Sequence, residues 1–424
     1  MKLLFIIQNY YPSVGGSQTF FQKIAEGCVR DYGDEVTVIT TNSYFGPEKK
    51  YFKKIEKREE FLNQVRIIRF PYWRFHLPAL RLLAKIWHRI FKSTPSFLQP
   101  ILIGPFSLSM KQWIAGTDAD LILAGTCNYL YLKYPRLGKG VYFSKPFVIQ
   151  GAIHFKEQEN SGELTHLALK AILSADIYLA NTIYEKERLK TIGVADQKIE
   201  VTGCGVDPGM FSTGDRNYFR AKLDLQETDI LIGFAGRIES TKGIDVLINA
   251  FCLSAGQNKN IYLILAGYEN PLFARNLRNL LKSLEQGIQK KIHIYYNISE
   301  LEKAHFFKAI DIFILPSVNE SFGIVFLEAW ACRKPVIGAA IGAVASIISE
   351  GEDGLLMQPG NPSSLSEKIL LLAADRILRE RIGQQGFQKV MNNFTWDLII
   401  KKCREIFQKL TDEYAINHNG LKIN

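Results

Sequence analysis

The 424-residue sequence predicts an α/β protein made of two Rossmann-like, doubly wound domains. Three observations lead there. Short apolar runs of strand length alternate with helix-like stretches, the order that builds parallel βαβ units. The length suffices for two domains that each bury a core. A stretch rich in breakers, with Gly203, Gly205, Pro208, Gly209 and Gly214, divides the chain near its middle as a natural hinge. The implied boundaries are 1–205 for the first domain, 206–395 for the second, and 396–424 for a final helix and polar tail.

In chain order, residues 2–8 read as the first strand. A loop carrying Gly15 and Gly16 leads into a helix over 18–30, and 35–41 is the second strand. Two glycines before a helix let backbone approach a ligand closely, and they equally make an ordinary turn. Further strands fall at 65–70, 120–124, 146–150, 175–182 and 198–201, with a helix at 185–191. The second half opens with a strand at 230–235. The loop 236–243 follows, holding Arg237 and Lys242, and then a helix to about 251. Strands at 261–266, 292–295 and 311–315 complete the pattern. Near the end Thr395 is a candidate N-cap. After it Leu398, Ile399, Cys403, Ile406, Phe407 and Leu410 recur at helical spacing.

Composition narrows the class. The chain is 47% hydrophobic and 22% charged, as in a globular protein and unlike a disordered one. The six cysteines form no Cys-x-x-Cys pair, so the expectation is reduced thiols of a cytoplasmic protein, without a zinc site or disulfide framework. The apolar run at the N-terminus is too short for a signal peptide, and no apolar run reaches membrane-spanning length. The net charge of +10 is uneven. Residues 48–95 hold 13 Lys and Arg against four Glu, nearly the whole surplus. Phe70, Tyr72, Trp73, Phe75, Trp87 and Phe91 lie in the same segment. Basic residues interleaved with aromatics suit an element lying on anionic lipid, which would make the protein peripheral on the inner face of the cytoplasmic membrane. They also suit a solvated basic face over core aromatics. Nucleic acid is not expected, because no nucleic-acid motif accompanies them.

The chemistry concentrates in residues 316–331. After the apolar strand at 311–315, Pro316, Ser317 and Asn319 end the extended run. A helix starts near Gly323, so Glu320 lies in a loop beyond a strand's carboxyl end. The free N–H groups of the helix can face an anion. Glu328 stands among Phe326, Leu327, Ala329, Trp330 and Ala331. A carboxylate in such company needs hydrogen-bond partners, and a vicinal diol such as a ribose offers two donors. The bland alternatives are a solvated helix edge or pairing with a structural Arg. Likewise Arg237 and Lys242 lie beyond a strand's carboxyl end beside a helix N-terminus. There Arg can grip a diphosphate by its fork and Lys as a point charge, although the stretch alone could be a surface loop.

The pattern Glu320-x-Phe322-Gly323, five residues, then Glu328 resembles the donor-site motif of family-4 glycosyltransferases of the GT-B fold, which retain anomeric configuration. Gly236-Arg237, four residues, then Lys242-Gly243 is similar to the family's diphosphate clamp. The likeness is strongest over about 230–400. The resemblance implies two Rossmann-like domains facing across a cleft, with the final helix crossing back to the first. It also implies a nucleotide-sugar substrate, UDP- or GDP-linked, with no further cofactor and no metal. In that reading Glu320 binds sugar hydroxyls, and the backbone of Phe322, Gly323, Ile324 and Val325 faces sugar and phosphate. Glu328 binds the ribose, and Arg237 and Lys242 the diphosphate. Gly16 lies in the loop that meets the diphosphate or acceptor, and His154 lies near the reacting sugar. Backbone at Asn297 and Ile298 meets the base, with Asn297 where Gly is common. Closure about 203–214 excludes water. The acceptor would be a glycan or lipid-linked intermediate of cell-surface polysaccharide or lipopolysaccharide synthesis.

Asp118-Ala119-Asp120, the only Asp-x-Asp, precedes a strand and reads as structural rather than as a metal site. A dinucleotide oxidoreductase is disfavoured because no Gly-x-Gly-x-x-Gly follows a strand. An epimerase or hydrolase on the same fold, or a non-catalytic binding subunit, remains a rival. The binding subunit would be expected to have lost some of Arg237, Lys242, Glu320 and Glu328.

Overall fold

A computed structural model describes residues 1–13, 15–44, 53–71, 79, 82–83, 86–87, 89–90, 107–125, 145–153, 155, 164 and 166–420. The chain divides into two compact units, Met1–Gly203 with Ile399–Asn424, and Cys204–Leu398.

The first unit holds β1 (Lys2–Ile6), β2 (Glu35–Thr41), β3 (Ser43–Tyr44), β4 (Lys53–Lys54), β5 (Glu59–Leu62), β6 (Val65–Phe70), β7 (Leu121–Gly125), β8 (Phe147–Gln150), β9 (Ile177–Ala180) and β10 (Ile199–Val201). Eight of these form one sheet in the order β10-β9-β8-β7-β1-β2-β6-β5, and β3 pairs with β4 apart from it. Only the β5–β6 pairing in the large sheet is antiparallel. Leu3 lies opposite both Val36 and Leu121, so β1 is central. The buried runs in β1, β7 and β8 follow from helices covering both faces of a parallel sheet.

The second unit holds β11 (Ile230–Ile238), β12 (Ile261–Glu269), β13 (Ile292–Tyr296), β14 (Ile312–Leu315), β15 (Val336–Ala339) and β16 (Gly354–Met357). The order is β13-β12-β11-β14-β15-β16, all parallel. Two strands run further than expected. β11 and β12 each continue past a glycine to Ile238 and Glu269. Gly236 and Gly267 face each other there at φ +147° and +154°, and a Cβ on Gly267 would lie 1.7 Å from the carbonyl oxygen of Gly236. Only glycine permits this ladder, so a residue type that reads as a loop signal here extends the strand.

The final helix, Trp396–Gly420, is capped by Thr395, whose hydroxyl accepts from the Leu398 N–H at 3.4 Å. Its residues from Ile399 onward group with the first unit. Ile400 packs where a Cβ on Gly27 would stand, and Phe407 meets Phe5 edge to face. Asp118 and Asp120 lie at the amino edge of the first sheet. Asp118 pairs with the Lys2 ammonium at 2.5 Å, and Asp120 accepts from the Lys2 N–H at 2.7 Å.

Part of the basic surplus in 48–95 is internal. Arg69 is fully buried, pairs with Glu60 and donates to the carbonyls of Tyr11 and Lys57. Arg66 pairs with Glu59 across the β5–β6 hairpin at 2.8 Å. Phe70 is core, whereas Trp87 is 44% exposed. Among the described residues, no helix is long and apolar enough to cross a membrane.

Candidate functional site

The geometry of the second sheet selects one place. β11 pairs with β12 on one side and β14 on the other, and the chain continues outward from each, to β13 and to β16. At such a switch point the loops after the two strands turn to opposite faces and leave a crevice at the carboxyl ends. The loop after β11 supplies Glu239, a short turn Ser240–Lys242, and Gly243 before the helix Ile244–Gln257. The loop after β14 supplies residues 316–323 before the helix Ile324–Ala331.

These loops are fastened together. The Ser317 hydroxyl donates to the Thr241 carbonyl at 3.2 Å. Gly243 has φ +72°, and a Cβ on it would stand 2.5 Å from the Pro316 carbonyl oxygen. The Lys242 ammonium pairs with Glu320 at 2.5 Å, both side chains being nearly buried. Arg237, on the penultimate residue of β11, pairs with Glu239 at 2.5 Å and is 38% exposed. Glu239 also accepts from the Thr241 hydroxyl at 2.8 Å and the Asn270 amide at 3.1 Å, so the carboxylate that orients Arg237 is itself held. The structure therefore couples two residues that the sequence reading treated separately, since Lys242 and Glu320 neutralise each other here.

Gly323 takes φ +94° and caps its helix without a side chain, leaving the first-turn amides of Ile324 and Val325 free of a side-chain acceptor. Phe322 is buried and meets Phe394 edge to face. One turn further, Glu328 is buried with its two oxygens in different situations. Oε1 pairs with the Lys303 ammonium from the helix Glu300–Ala309, and Oε2 has no hydrogen-bond partner. Burial pushes the Glu328 carboxyl up, and the Lys303 charge opposes this. An ammonium in direct contact keeps the pair ionic. The bland reading of Glu328 as half of an ion pair is thus correct for one oxygen, with Lys in place of Arg. The other, a buried orphan acceptor, fits a hydroxyl donor. Asn319 Oδ1, in the preceding loop, is likewise buried without a partner.

Lys303, Glu239 and Asn270 are the site residues that sequence reasoning missed. Lys303 lies 25 residues from Glu328 on a separate helix, and nothing local marks it. Asn297 takes φ +57° and donates its N–H to the Gly267 carbonyl at 2.9 Å. A left-handed position favours Gly and tolerates Asn, which explains the exchange at that point.

In the first unit Gly16 begins the helix Gly16–Tyr32 at the carboxyl end of β1, with Gly15 as a cap lacking any side-chain acceptor. His154 lies outside the described residues. The turn just before it is anchored by Glu185. This buried carboxylate accepts from the Ile153 N–H at 3.2 Å, the Asn181 N–H at 2.7 Å and the Tyr178 hydroxyl at 2.6 Å. Burial pushes Glu185 up to about 7, against these hydrogen bonds. Ala152 takes φ +66°, and a Cβ on Gly151 would fall 1.5 Å from the Tyr178 hydroxyl oxygen, so Gly151 is required by that clamp.

Two parallel-sheet units, one with a charged switch point built on Arg237, Lys242, Glu320 and Glu328, define a two-domain α/β protein of the GT-B class. The family model for glycosyl transferases group 1 matches residues 215–389, and that for glycosyltransferase family 4 matches residues 14–209. The chain belongs to the family-4 glycosyltransferases of the GT-B fold. It is 31% identical over 238 residues to a D-inositol 3-phosphate glycosyltransferase of Stackebrandtia nassauensis, covering 54% of this chain and 52% of that one. The chain spans about half the length of the first curated relatives it matches. An uncharacterized glycosyltransferase of Methanocaldococcus jannaschii is 26% identical over 426 residues, covering 96% and 98% of the two chains. Among solved structures, Anabaena HepE in complex with UDP and glucose superposes with TM-score 0.68 at 18% identity, covering 96% of this chain and 99% of that one. WaaG, a glycosyltransferase involved in lipopolysaccharide biosynthesis, gives 0.67 at 17% over 96% and 99%.

Proposed function

We propose that this chain transfers a glycosyl group from a nucleoside-diphosphate sugar to a hydroxylated acceptor, with retention at the anomeric carbon and without a metal. The observation that carries the reading is Glu328 Oε2, a buried orphan oxygen on the helix that follows the Glu320 loop, at the switch point that also holds Arg237, Lys242 and Glu320. A ribose hydroxyl gives that oxygen a donor. Arg237, Lys242 and the first-turn amides of Ile324 and Val325 face the diphosphate, and stabilise charge as it develops on the leaving group. Lys242 occupies Oε1 of Glu320, which leaves Oε2 to accept from sugar hydroxyls while the ammonium stays beside the phosphate. HepE has been crystallised with UDP and with UDP-glucose, which favours a UDP-sugar for this chain. The only Asp-x-Asp pair is engaged by Lys2 at the amino edge of the first unit's sheet.

The acceptor is a glycan or lipid-linked intermediate of cell-surface polymer synthesis, met at the anionic membrane through residues 48–95. Support comes from Leu82, Leu83, Ile86, Trp87 and Ile90, which occupy helical positions and are all exposed. Neutralising Lys49, Lys50, Lys53, Lys54, Arg81, Lys85 and Arg89 together should abolish sedimentation with anionic vesicles. Unchanged sedimentation would remove this part of the proposal.

The central test is a thermal-shift panel of UDP, GDP, ADP and their sugar conjugates on the wild type and on Arg237→Ala. One base family should stabilise the wild type. The substitution should weaken that binding roughly ten- to a hundredfold, the equivalent of about 1.5–3 kcal/mol for charge-assisted hydrogen bonds. A ligand that binds both proteins equally would overturn the assignment of Arg237. Release of free sugar without acceptor would point to hydrolysis instead of transfer.

A further inference from the structure

The second unit has another charged concavity at the opposite end of its sheet, with a volume of about 560 Å³. It is lined at Ile230, the first residue of β11, at Asp311, just before β14, and at Pro335, just before β15. β14 separates it from the switch-point loops by four residues, about 13 Å at 3.3 Å per residue. The size lies within the range of small-molecule sites.

Five cations from three separate elements converge there: Arg216, Arg333, Lys334, Arg376 and Arg379. The three carboxylates of the lining, Glu227, Asp311 and Glu380, do not balance them. Asp311 is already engaged by Arg216 and Arg220, each at 3.0 Å, and by the Leu231 N–H at 2.8 Å. Glu380 holds Arg376 at 2.7 Å. The remaining three cations have neutral partners. Lys334 donates to the Lys308 carbonyl at 2.9 Å, and Arg379 to the carbonyls of Leu372 and Ala373. Arg333 donates to the Gln384 side chain at 3.1 Å and stacks on Phe387 with its charge 3.9 Å from the ring centre. Arg376 and Arg379 also lie in the first turn of the helix Arg376–Asn393, where the macrodipole adds positive potential. Thr228, Asn258 and Asn260 on the same wall can bond hydroxyls.

We propose that this concavity at the amino end of the second sheet binds a small molecule bearing a phosphate or diphosphate group, held by Lys334, Arg379 and Arg333. The ligand supplies the counter-charge that the wall lacks, and the concave shape concentrates the positive field. The state of Lys334 agrees with this. Burial pushes its ammonium down to about 8. Asp311 and the Cys332 thiol oppose that shift, and Arg216 and Lys308 reinforce it. A dianion arriving beside it restores its proton, so binding near pH 8 draws a proton from the buffer.

The test is calorimetric titration of inorganic pyrophosphate into the full chain carrying Arg237→Ala, so that the switch-point clamp is already weakened. The expected result is one bound pyrophosphate, with proton uptake at pH 8 seen as a buffer-dependent heat. Adding Lys334→Met and Arg379→Gln should weaken that binding at least tenfold while the melting temperature is kept. Absence of binding in the Arg237→Ala chain, or equal affinity with and without the added pair, overturns the proposal. A crystal of the unaltered chain soaked in tungstate gives a second reading, independent of how the variants fold. Anomalous density between Lys334 and Arg379 supports the site, and density confined to the Arg237 loop refutes it. Failure of the donor-site reading would leave both results unaffected.

Discussion

At the scale of single residues, two buried carboxylates behave differently because their surroundings complete them differently. Glu328 has an ammonium on one oxygen and nothing on the other, which prepares it for a hydroxyl pair. Glu328→Gln keeps the shape but removes the charge and presents an amide where an acceptor is needed. Calorimetric affinity for the preferred nucleotide should fall roughly ten- to a hundredfold, the range for one or two hydrogen bonds to a charged group. Unchanged affinity would mean that the ribose is held elsewhere. Glu185, by contrast, has its donors in place and is still pushed up to about 7 by burial. Its folded state keeps a proton that the unfolded chain gives up near the ordinary value of 4.5. This group's contribution is therefore most favourable below pH 4.5 and is lost as pH rises through 7, a change of about 3 kcal/mol. The difference in melting temperature between the wild type and Glu185→Gln isolates that effect. The wild type should lose ground against the variant from pH 5 to pH 8, and a flat difference over that range would show that Glu185 is ionised throughout.

At the scale of elements, the site depends on where loops begin and how tightly they lie together. Gly243 combines φ +72° with a Cβ position 2.5 Å from the Pro316 carbonyl oxygen, so Gly243→Ala strains the backbone and pushes the two site loops apart at once. The expected cost is about 1–3 kcal/mol in urea unfolding, together with a lost nucleotide response. Gly256→Ala is the contrast. It lies in the helix Ile244–Gln257 with no atom within 4 Å of its Cβ position, and should gain up to about 1 kcal/mol from helix propensity. If both substitutions behaved alike, the tight approach at Pro316 would not matter. The same level shows what a sequence discloses. β2 and β6 could be bounded at 35–41 and 65–70 because β-branched and apolar residues concentrate there between breakers, Asp34 and Asn42 around one and Asn63 and Pro71 around the other. β11 and β12 outran their expected ends because glycine signals a turn locally, and only the opposing glycine, 31 residues away in the ladder, makes it extended. Glu320, Gly323 and Glu328 were legible because their spacing lies on one loop and one helix. Lys303 was not, because its partner stands on a separately encoded helix. Nor did the surplus of charge in 48–95 reveal that Arg69 is a buried tie within the sheet.

At the scale of the whole molecule, the chain leaves its first unit at Gly203, builds the second, and returns at Ile399 within one continuous helix. The return is fixed electrostatically as well as by packing. The Asp34 carboxylate, with no exposed side-chain surface, receives the N-terminal ammonium at 2.7 Å and the Arg404 guanidinium at 2.6 and 3.2 Å. Three distant parts of the chain thus meet at one buried anion: its first residue, the turn before β2, and the final helix. Arg404→Ala removes the larger share of the compensation and leaves a buried carboxylate with one cation, a loss of about 3–5 kcal/mol by analogy with other broken buried pairs. The loss belongs to the first unit, because Asp34 and Met1 flank the pairing of β1 with β2, where the Glu35 N–H donates to the Met1 carbonyl at 2.9 Å. Hydrogen exchange read peptide by peptide should therefore show faster exchange over Lys2–Ile6 and Glu35–Thr41, with β11 and β14 unchanged. Equal acceleration in both units would mean that they open as one cooperative body. No acceleration in either would mean that packing of Ile400 and Phe407 alone holds the returning helix.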